Sequence, residues 1–341
     1  MMHESLYSTK SDKGVQCGIC PHKCNLSEGQ RGLCKSRINR GGRLITEAYG
    51  HLCALHIDPV EKKPLLHFYP NSRCLSLAAT GCNFACRNCQ NWEISQAEPA
   101  SIPSEYYPPE QIVKTCLETD CPAIAYTYTE PITFFEYMYD TAKLAHEIGI
   151  RNILVSAGYI NEAPLRQLCE VIDAANIDLK SFSDELYVKI NCGHLAPVLD
   201  TLQTMKEAGV WLEITNLVIP TVNDSMDMIR EMCHWLSKNG FKDTPLHFSR
   251  FFPMYQMQDI PPTPVKTLIE ARDIAREEGL EFVYIGNVDN ADMESTFCPS
   301  CHHLLVKRNG YHILRYHVTS EGKCEYCKTA IPGHWGEKLI R

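Results

Sequence analysis

Between residues 74 and 288 short apolar runs alternate with longer amphipathic ones, and no other feature narrows the fold as far. CLSLAAT (74–80), AIAYTYT (123–129), RNILVSA (151–157), ANIDL (175–179), VWLEITNLVI (210–219) and LHFSRFF (246–252) read as strands, and EFVYIGNV (281–288) as a further one. The stretches 110–119, 132–148, 162–173, 196–208, 225–239 and 264–278 read as helices. NEAPLRQLCEVID opens on Asn161, a favoured N-cap, with a proline in its first turn. IREMCHWLSKNG closes on Gly240, a common residue just past a helix end. Strand–helix alternation builds a parallel sheet wrapped by crossover helices. Six units are too few for an eight-fold barrel, which leaves an incomplete (β/α)6 barrel or a doubly wound open sheet. In either, active groups belong at the C-terminal ends of the strands.

GCNFACRNCQN, residues 81–91, follows the first strand and sets Cys82, Cys86 and Cys89 in a C-x3-C-x2-C spacing. A structural zinc takes four ligands and a disulfide two, so three cysteines leave a position for something else. Thiolates serve zinc and iron–sulfur clusters. In a 4Fe–4S cluster three cysteines leave one iron open. Zinc with three protein ligands and a water more often includes histidine or carboxylate. A zinc knuckle borrowing a distant cysteine is the plain structural alternative.

This spacing on the loop after a first strand resembles the signature of radical S-adenosylmethionine (SAM) enzymes. The resemblance implies a 4Fe–4S cluster on Cys82, Cys86 and Cys89, whose open iron binds the amino and carboxylate groups of SAM. It also implies reductive cleavage of SAM to methionine and a 5′-deoxyadenosyl radical, which abstracts hydrogen from a substrate. TYTEP (127–131) occupies the family's GGEP place, so Thr129 and Glu130 are implied at the SAM ammonium, which needs acceptors. Ser156 in VSAGY is implied at the SAM carboxylate or ribose. Asp178 and Lys180 in DLK match the Asp-x-Lys of pyruvate formate-lyase activating enzymes, with Lys180 suited to a carboxylate. VIPTVND (218–224) resembles their PGxxD turn. His247 is implied near the ribose or substrate, and Arg250, Tyr255 and Asn287 are substrate candidates inside the barrel. The residue before the third cysteine is usually aromatic, beside the adenine. Here it is Asn88, and Phe84 or Trp92 would take that part.

Two further cysteine groups flank the sheet. CPSC (298–301) and CEYC (324–327) enclose HHLLVKRNGYHILRYHV, which reads as a hairpin turning near Asn309–Gly310. Cys298, Cys301, Cys324 and Cys327 thus read as a zinc ribbon. With four thiolates closing that site, His302, His303, His312, His317 and His334 read as surface residues. Cys17, Cys20, Cys24 and Cys34 follow C-x2-C-x3-C-x9-C, enough for zinc or for an auxiliary cluster. The lack of a ferredoxin-type run favours zinc. The expected organisation is an N-terminal four-cysteine metal module (1–50), a radical SAM partial barrel (51–290) and a C-terminal zinc ribbon (291–341).

CGICPHKC, DPVEKKPLLHFYP, GCNFACRNCQNWEIS, YTYTEPITFFEY, IDLKSF, VYIGNV and the terminal cysteine pairs together are similar to the AmmeMemoRadiSam system radical SAM enzymes, relatives of the activating enzymes. That resemblance implies an Amme-type and a Memo-type partner protein, and no known substrate. It also puts HFYP (67–70) over the barrel mouth. A low-potential electron donor, flavodoxin or ferredoxin in type, is implied as well.

The chain has 18 cysteines and 44% hydrophobic residues, with no run near the roughly 18–20 apolar residues of a membrane span. An N-terminus without an apolar h-region gives a cytoplasmic expectation, where thiols stay reduced. Net charge is +4 over residues 1–50 and +4 over 298–341, leaving −16 between them. An acidic body argues against sequence-independent nucleic-acid binding, which needs phosphate-neutralising lysine and arginine. Three rivals stand beside the radical SAM reading: a glycyl-radical activase acting on a protein, a zinc-binding interaction module, and an electron carrier. The extra cysteine modules weigh against the first. The open three-cysteine site weighs against the other two.

Overall fold

A computed structural model describes residues 3–336 of the 341. The last five residues assigned to the C-terminal module, 337–341, lie outside the described residues. The core is a nine-stranded sheet. Seven of its strands are parallel: β1 (Arg73–Ala79), β2 (Ala123–Tyr126), β3 (Arg151–Ser156), β4 (Ala174–Asp178), β5 (Trp211–Val218), β6 (Leu246–Arg250) and β7 (Val283–Gly286). Between them run α1 (Pro109–Glu118), α2 (Phe135–Glu147), α3 (Glu162–Cys169), α4 (Ala196–Glu207), α5 (Met226–Lys238) and α6 (Val265–Glu277). Each strand lies beside the next in chain order. Among the described residues this order has no reversal point, so the parallel strands wind in one direction, unlike a doubly wound sheet. The final expected strand pairs parallel to β6. At the other edge His51–Pro59 adds antiparallel to β1, followed by the short Glu105–Tyr106.

The strands are buried on both faces, as parallel strands with crossover helices must be. Leu75, Leu77, Ile124, Leu154 and Ile177 point to one face, into the core shared with helix residues such as Ile112, Met138 and Leu202. Cys74, Ala123, Ala125, Ile153 and Ala174 point to the other. There they meet Val60, Leu65 and Phe68 from the segment linking His51–Pro59 to β1. HFYP therefore does not cover the mouth. His67 and Phe68 are fully buried at the N-terminal ends of the strands, and the segment plugs the barrel floor. Apolar side chains bury readily in a floor lined by Ala123, Ala125 and Ala174.

Two local expectations need correction. Asn161 does not cap α3 with its side chain, because its Nδ2 donates to the Gly18 carbonyl at 2.7 Å. The same helix stops at Cys169 rather than 173. Asp173 is drawn instead to the sheet, accepting from the Asn152 amide at 2.8 Å and pairing with Arg151 at 2.7 Å.

The N-terminal residues form two small antiparallel sheets. One joins His3–Glu4, Arg43–Thr46 and Arg37–Arg40; the other joins Ser8–Ser11, Gly14–Cys17 and Asn25–Leu26. The C-terminal strands Thr296–Phe297, Leu304–Asn309 and His312–Tyr316 form a third, with its hairpin turning at residues 310–311. Leu305, Val306, Val318, Ile331 and Trp335 share a core with Leu66, Phe282 and Tyr284, so this unit is packed onto the barrel. Arg308, wholly buried, donates to the Leu66 carbonyl at 2.7 Å and to Thr296 Oγ1 at 2.8 Å.

Candidate functional site

The C-terminal strand ends open into a cavity of about 930 Å³. The loop after β1 forms one wall. Gly81 begins it at φ +104°, where a Cβ would stand 2.2 Å from Ser36 Oγ and 2.5 Å from the Cys34 carbonyl, so only glycine lets the N-terminal module pack behind the loop. Cys82, Cys86 and Cys89 all line the cavity. The loop is pinned from the segment after β4: Ala85 and Arg87 donate backbone bonds to the carbonyls of Asn191 and Ile190 at 3.0 Å. Asn191 Nδ2 reaches Cys86 Sγ at 3.1 Å, and the Phe84 amide reaches Cys82 Sγ at 3.3 Å. Burial pushes the Cys82 thiol well above its ordinary pKa, and Glu130 and Cys86 push it the same way. Such a thiol ionises when a bound cation offsets the cost.

Thr129, Glu130, Ser156, Asp178, Lys180, His247 and Asn287 line the same cavity, on the ends of successive strands. Glu130 is 2% exposed, and its carboxylate accepts from Ser156 Oγ at 2.7 Å and the Ala157 amide at 2.9 Å. Burial raises its pKa while those bonds oppose the rise. Ser156 spends its proton on Glu130 and accepts from the Gly158 amide, so toward a ligand it can only accept. A hydroxyl suits it and a carboxylate does not. Thr129 Oγ1 donates to the Ala79 carbonyl at 2.7 Å, tying β1 and β2. Lys180 Nζ sits 2.9 Å from Asp178 Oδ2. Burial would lower the Lys180 pKa, but Asp178 and the Cys86 sulfur outweigh it and hold the ammonium charged. His247 stacks on Tyr284 and meets Glu213 at 2.7 Å.

Other expected residues stand elsewhere. Arg250 does not line the cavity; its Nε donates to the Thr263 carbonyl and its guanidinium lies 5.1 Å over Phe252. Tyr255 does not line it either, because its ring stacks on Trp92 at 5.0 Å. Trp92, expected beside the adenine, does not line the cavity. Phe84 lines the cavity but is 2% exposed and caged by Tyr159, Tyr187 and Gly193, where a Cβ would stand 2.3 Å from its ring. Asn88 remains at the wall, and its buried Oδ1 has no hydrogen-bond partner among the described residues.

Two sets of lining residues carried no sequence signal strong enough to select them. Lys62 and Lys63 both meet Asp58 at 2.7 Å, and Lys63, 1% exposed, lies 4.6 Å over the Tyr128 ring. Burial would raise Asp58, but bonds from Lys62, Lys63 and Tyr128 hold its carboxyl well below the usual range. Asn309, Gly310 and Tyr311, the tip of the C-terminal hairpin, reach the cavity from the far side. DPVEKKPL was visible as a motif, and a lysine-rich segment next to a strand is ordinarily a solvated face.

The cysteine modules differ in their packing. Cys298, Cys301, Cys324 and Cys327 have sulfurs all within 4.8 Å of one another, with contacts of 3.6 and 3.7 Å. Tetrahedral zinc with bonds of about 2.3 Å sets thiolates about 3.8 Å apart, so these four fit one ion. At the main site, three convergent thiols, an unpartnered Asn88 oxygen and a carboxylate–ammonium pair fit a three-cysteine cluster with a polar, charged organic ligand.

The chain is similar to several known proteins. Residues 77–236 match the radical SAM superfamily. An uncharacterized protein of Methanocaldococcus jannaschii is 45% identical over 332 residues, 97% of this chain and 99% of that protein. The pyruvate formate-lyase-activating enzyme of Clostridium pasteurianum is 23% identical over 163 residues, 45% of this chain and 65% of that enzyme. A solved domain of the pyruvate-formate lyase-activating enzyme from Bacteroides vulgatus superposes with TM-score 0.43 and 16% identity, covering 48% of this chain and 98% of that domain.

Proposed function

The chain belongs to one family with the methanogen protein and carries a radical SAM domain, and from that premise we propose that it is an enzyme whose site residues are those at the strand ends described above. Cys82, Cys86 and Cys89 would hold the 4Fe–4S cluster, leaving one iron for SAM. When bound, the two together supply reductive cleavage of SAM to methionine and a 5′-deoxyadenosyl radical, which abstracts hydrogen from the substrate. The single observation that carries this reading is the placement of three thiols and the Asp178–Lys180 pair around one cavity.

The protein's own part is binding, orientation and exclusion of water. Lys180 offers a charged donor for a carboxylate, and Asp178 keeps it aimed. Glu130 fixes the β2 and β3 turns by its bonds to Ser156 and Ala157, and its remaining acceptor capacity suits an ammonium. Asn88 Oδ1 offers an acceptor for an amine such as that of adenine. Lys62, Lys63 and Leu66 of the floor segment and the hairpin tip complete the lining of the cavity. Within the superfamily, the motif set supports the AmmeMemoRadiSam type with its Amme-type and Memo-type partners, and a flavodoxin- or ferredoxin-type donor would reduce the cluster. Zinc would fill the four-thiolate ribbon. A second reading, a glycyl-radical activase, draws on the likeness to the Clostridium enzyme.

The test is anaerobic reconstitution, then SAM and dithionite, with 5′-deoxyadenosine measured. Wild type should form it, and Cys86→Ala should not. Equal formation by Cys86→Ala would sink the assignment.

A further inference from the structure

The N-terminal cysteines are not absorbed by the main site, yet they are built toward it. Cys17, Cys20, Cys24 and Cys34 line a small cavity of their own, with Ile19, Leu26 and Ile132 among its walls. The Cys17 amide donates to the Cys24 carbonyl at 3.0 Å, the Lys23 amide to the Cys20 carbonyl at 3.1 Å and the Lys35 amide to the Gly32 carbonyl at 2.9 Å, so the turns that carry these cysteines are fixed. That geometry is a prepared ligand set.

We propose that these four cysteines hold a second iron–sulfur cluster of the 4Fe–4S type rather than zinc. The reason is spacing. Among the described residues, the ribbon four are the one set of potential ligands whose atoms all lie within 4.8 Å of one another. The N-terminal four surround a common space without closing to that distance. A single zinc ion draws four thiolates into mutual contact, as in the ribbon, and leaves no cavity between them. A cubane puts each thiolate on a separate corner iron, so its sulfurs stand further apart around a filled centre. Cys82, Cys86 and Cys89 show the same open arrangement around their cavity. One protein thus contains both geometries, and the N-terminal set falls with the open one. Charge does not separate the two metals, since four thiolates leave a net double negative charge on either.

A second observation concerns position. Asn83, between Cys82 and Cys86, also lines the N-terminal cavity. Its carbonyl is 2.7 Å from Nε2 of His22, which lies between Cys20 and Cys24. Its Nδ2 donates to the Tyr159 carbonyl at 2.8 Å, and the Tyr159 ring lies against both His22 and Phe84. The two metal loops are therefore in direct contact, and Ser36 Oγ donates to the Thr80 carbonyl just ahead of the main loop. A purely structural zinc needs no such closeness to a redox centre; a one-electron carrier does.

The test removes the main cluster and asks what iron stays. Cys82→Ala/Cys86→Ala/Cys89→Ala, reconstituted anaerobically, should retain about four irons and four sulfides with one zinc, where wild type holds about eight irons. Its reduced form should give an electron paramagnetic resonance signal of a 4Fe–4S centre. A triple variant with two zincs and no iron would overturn the proposal. Should that variant fail to fold, wild-type counts decide: about eight irons to one zinc supports a second cluster, and four or fewer irons overturns it. Iron retained by the triple variant supports the second site even where wild type forms no 5′-deoxyadenosine, so the two readings fail separately.

Discussion

Replacing Glu136 with glutamine tests how the N-terminal module is held to the barrel. Glu136 lies in the first turn of α2, and both of its oxygens accept from Arg37 at 2.8 Å, with the Leu6 amide adding a third bond at 2.8 Å. The two side chains are 2% and 1% exposed. Glutamine keeps the volume but turns one acceptor into a donor and leaves a buried guanidinium without its counter-charge. Removing one partner of a buried pair costs about 3–5 kcal/mol, because the remaining charge stays desolvated. The loss falls on local opening of residues 3–46 rather than on the barrel, so native-state hydrogen exchange is the proper assay. At about 1.4 kcal/mol per tenfold, amides of Asn39 and Ile45 should exchange roughly a hundred to several thousand times faster. Arg37→Met/Glu136→Gln should recover most of the protection, since no buried charge is left uncompensated and the glutamine oxygen can still accept from the Leu6 amide. An acceleration under about fivefold in Glu136→Gln, or a double variant as open as the single, would refute this account.

Two further outcomes follow from the far side of the cavity. Burial pushes the Glu294 carboxyl up to about 7, against an opposing pull from Arg308. A raised carboxyl stabilises the fold below its ordinary value near 4.5 and loses that contribution as pH rises through about 7. The melting temperature should therefore fall between pH 4.5 and 8 by more in wild type than in Glu294→Gln, and identical pH profiles would exclude the shift. Cys301→Ala should lose one zinc and melt at lower temperature, measured by metal analysis and calorimetry, while SAM cleavage persists below the new midpoint. Abolished cleavage in the folded variant would contradict a structural ribbon.

The strand and helix order was legible because parallel strands buried on both faces read as unbroken apolar runs, and all seven stand within a few residues of expectation. The cavity's thiols and Asp178–Lys180 were legible because strand ends fix where side chains converge. Arg250 and Tyr255 were misplaced because register past a strand's end is set by turns: Arg250 is held by Thr263 and Tyr255 by Trp92, contacts that no local pattern records. Lys62, Lys63 and the hairpin tip were missed for a related reason. Their role comes from packing between segments far apart in the chain.

That long-range packing has a consequence in time. His67 in the floor segment contacts the Pro332 carbonyl and the Tyr284 hydroxyl, and Arg308 secures the neighbouring Leu66. At synthesis rates of about 5–20 residues per second, the stretch from residue 67 to 332 takes roughly 13 to 53 s to emerge. Throughout that interval the floor of a nascent barrel lacks its last fasteners. The ribbon is thus the closing element of folding as well as a wall of the finished chamber, and truncation there would leave a barrel that forms but never seals.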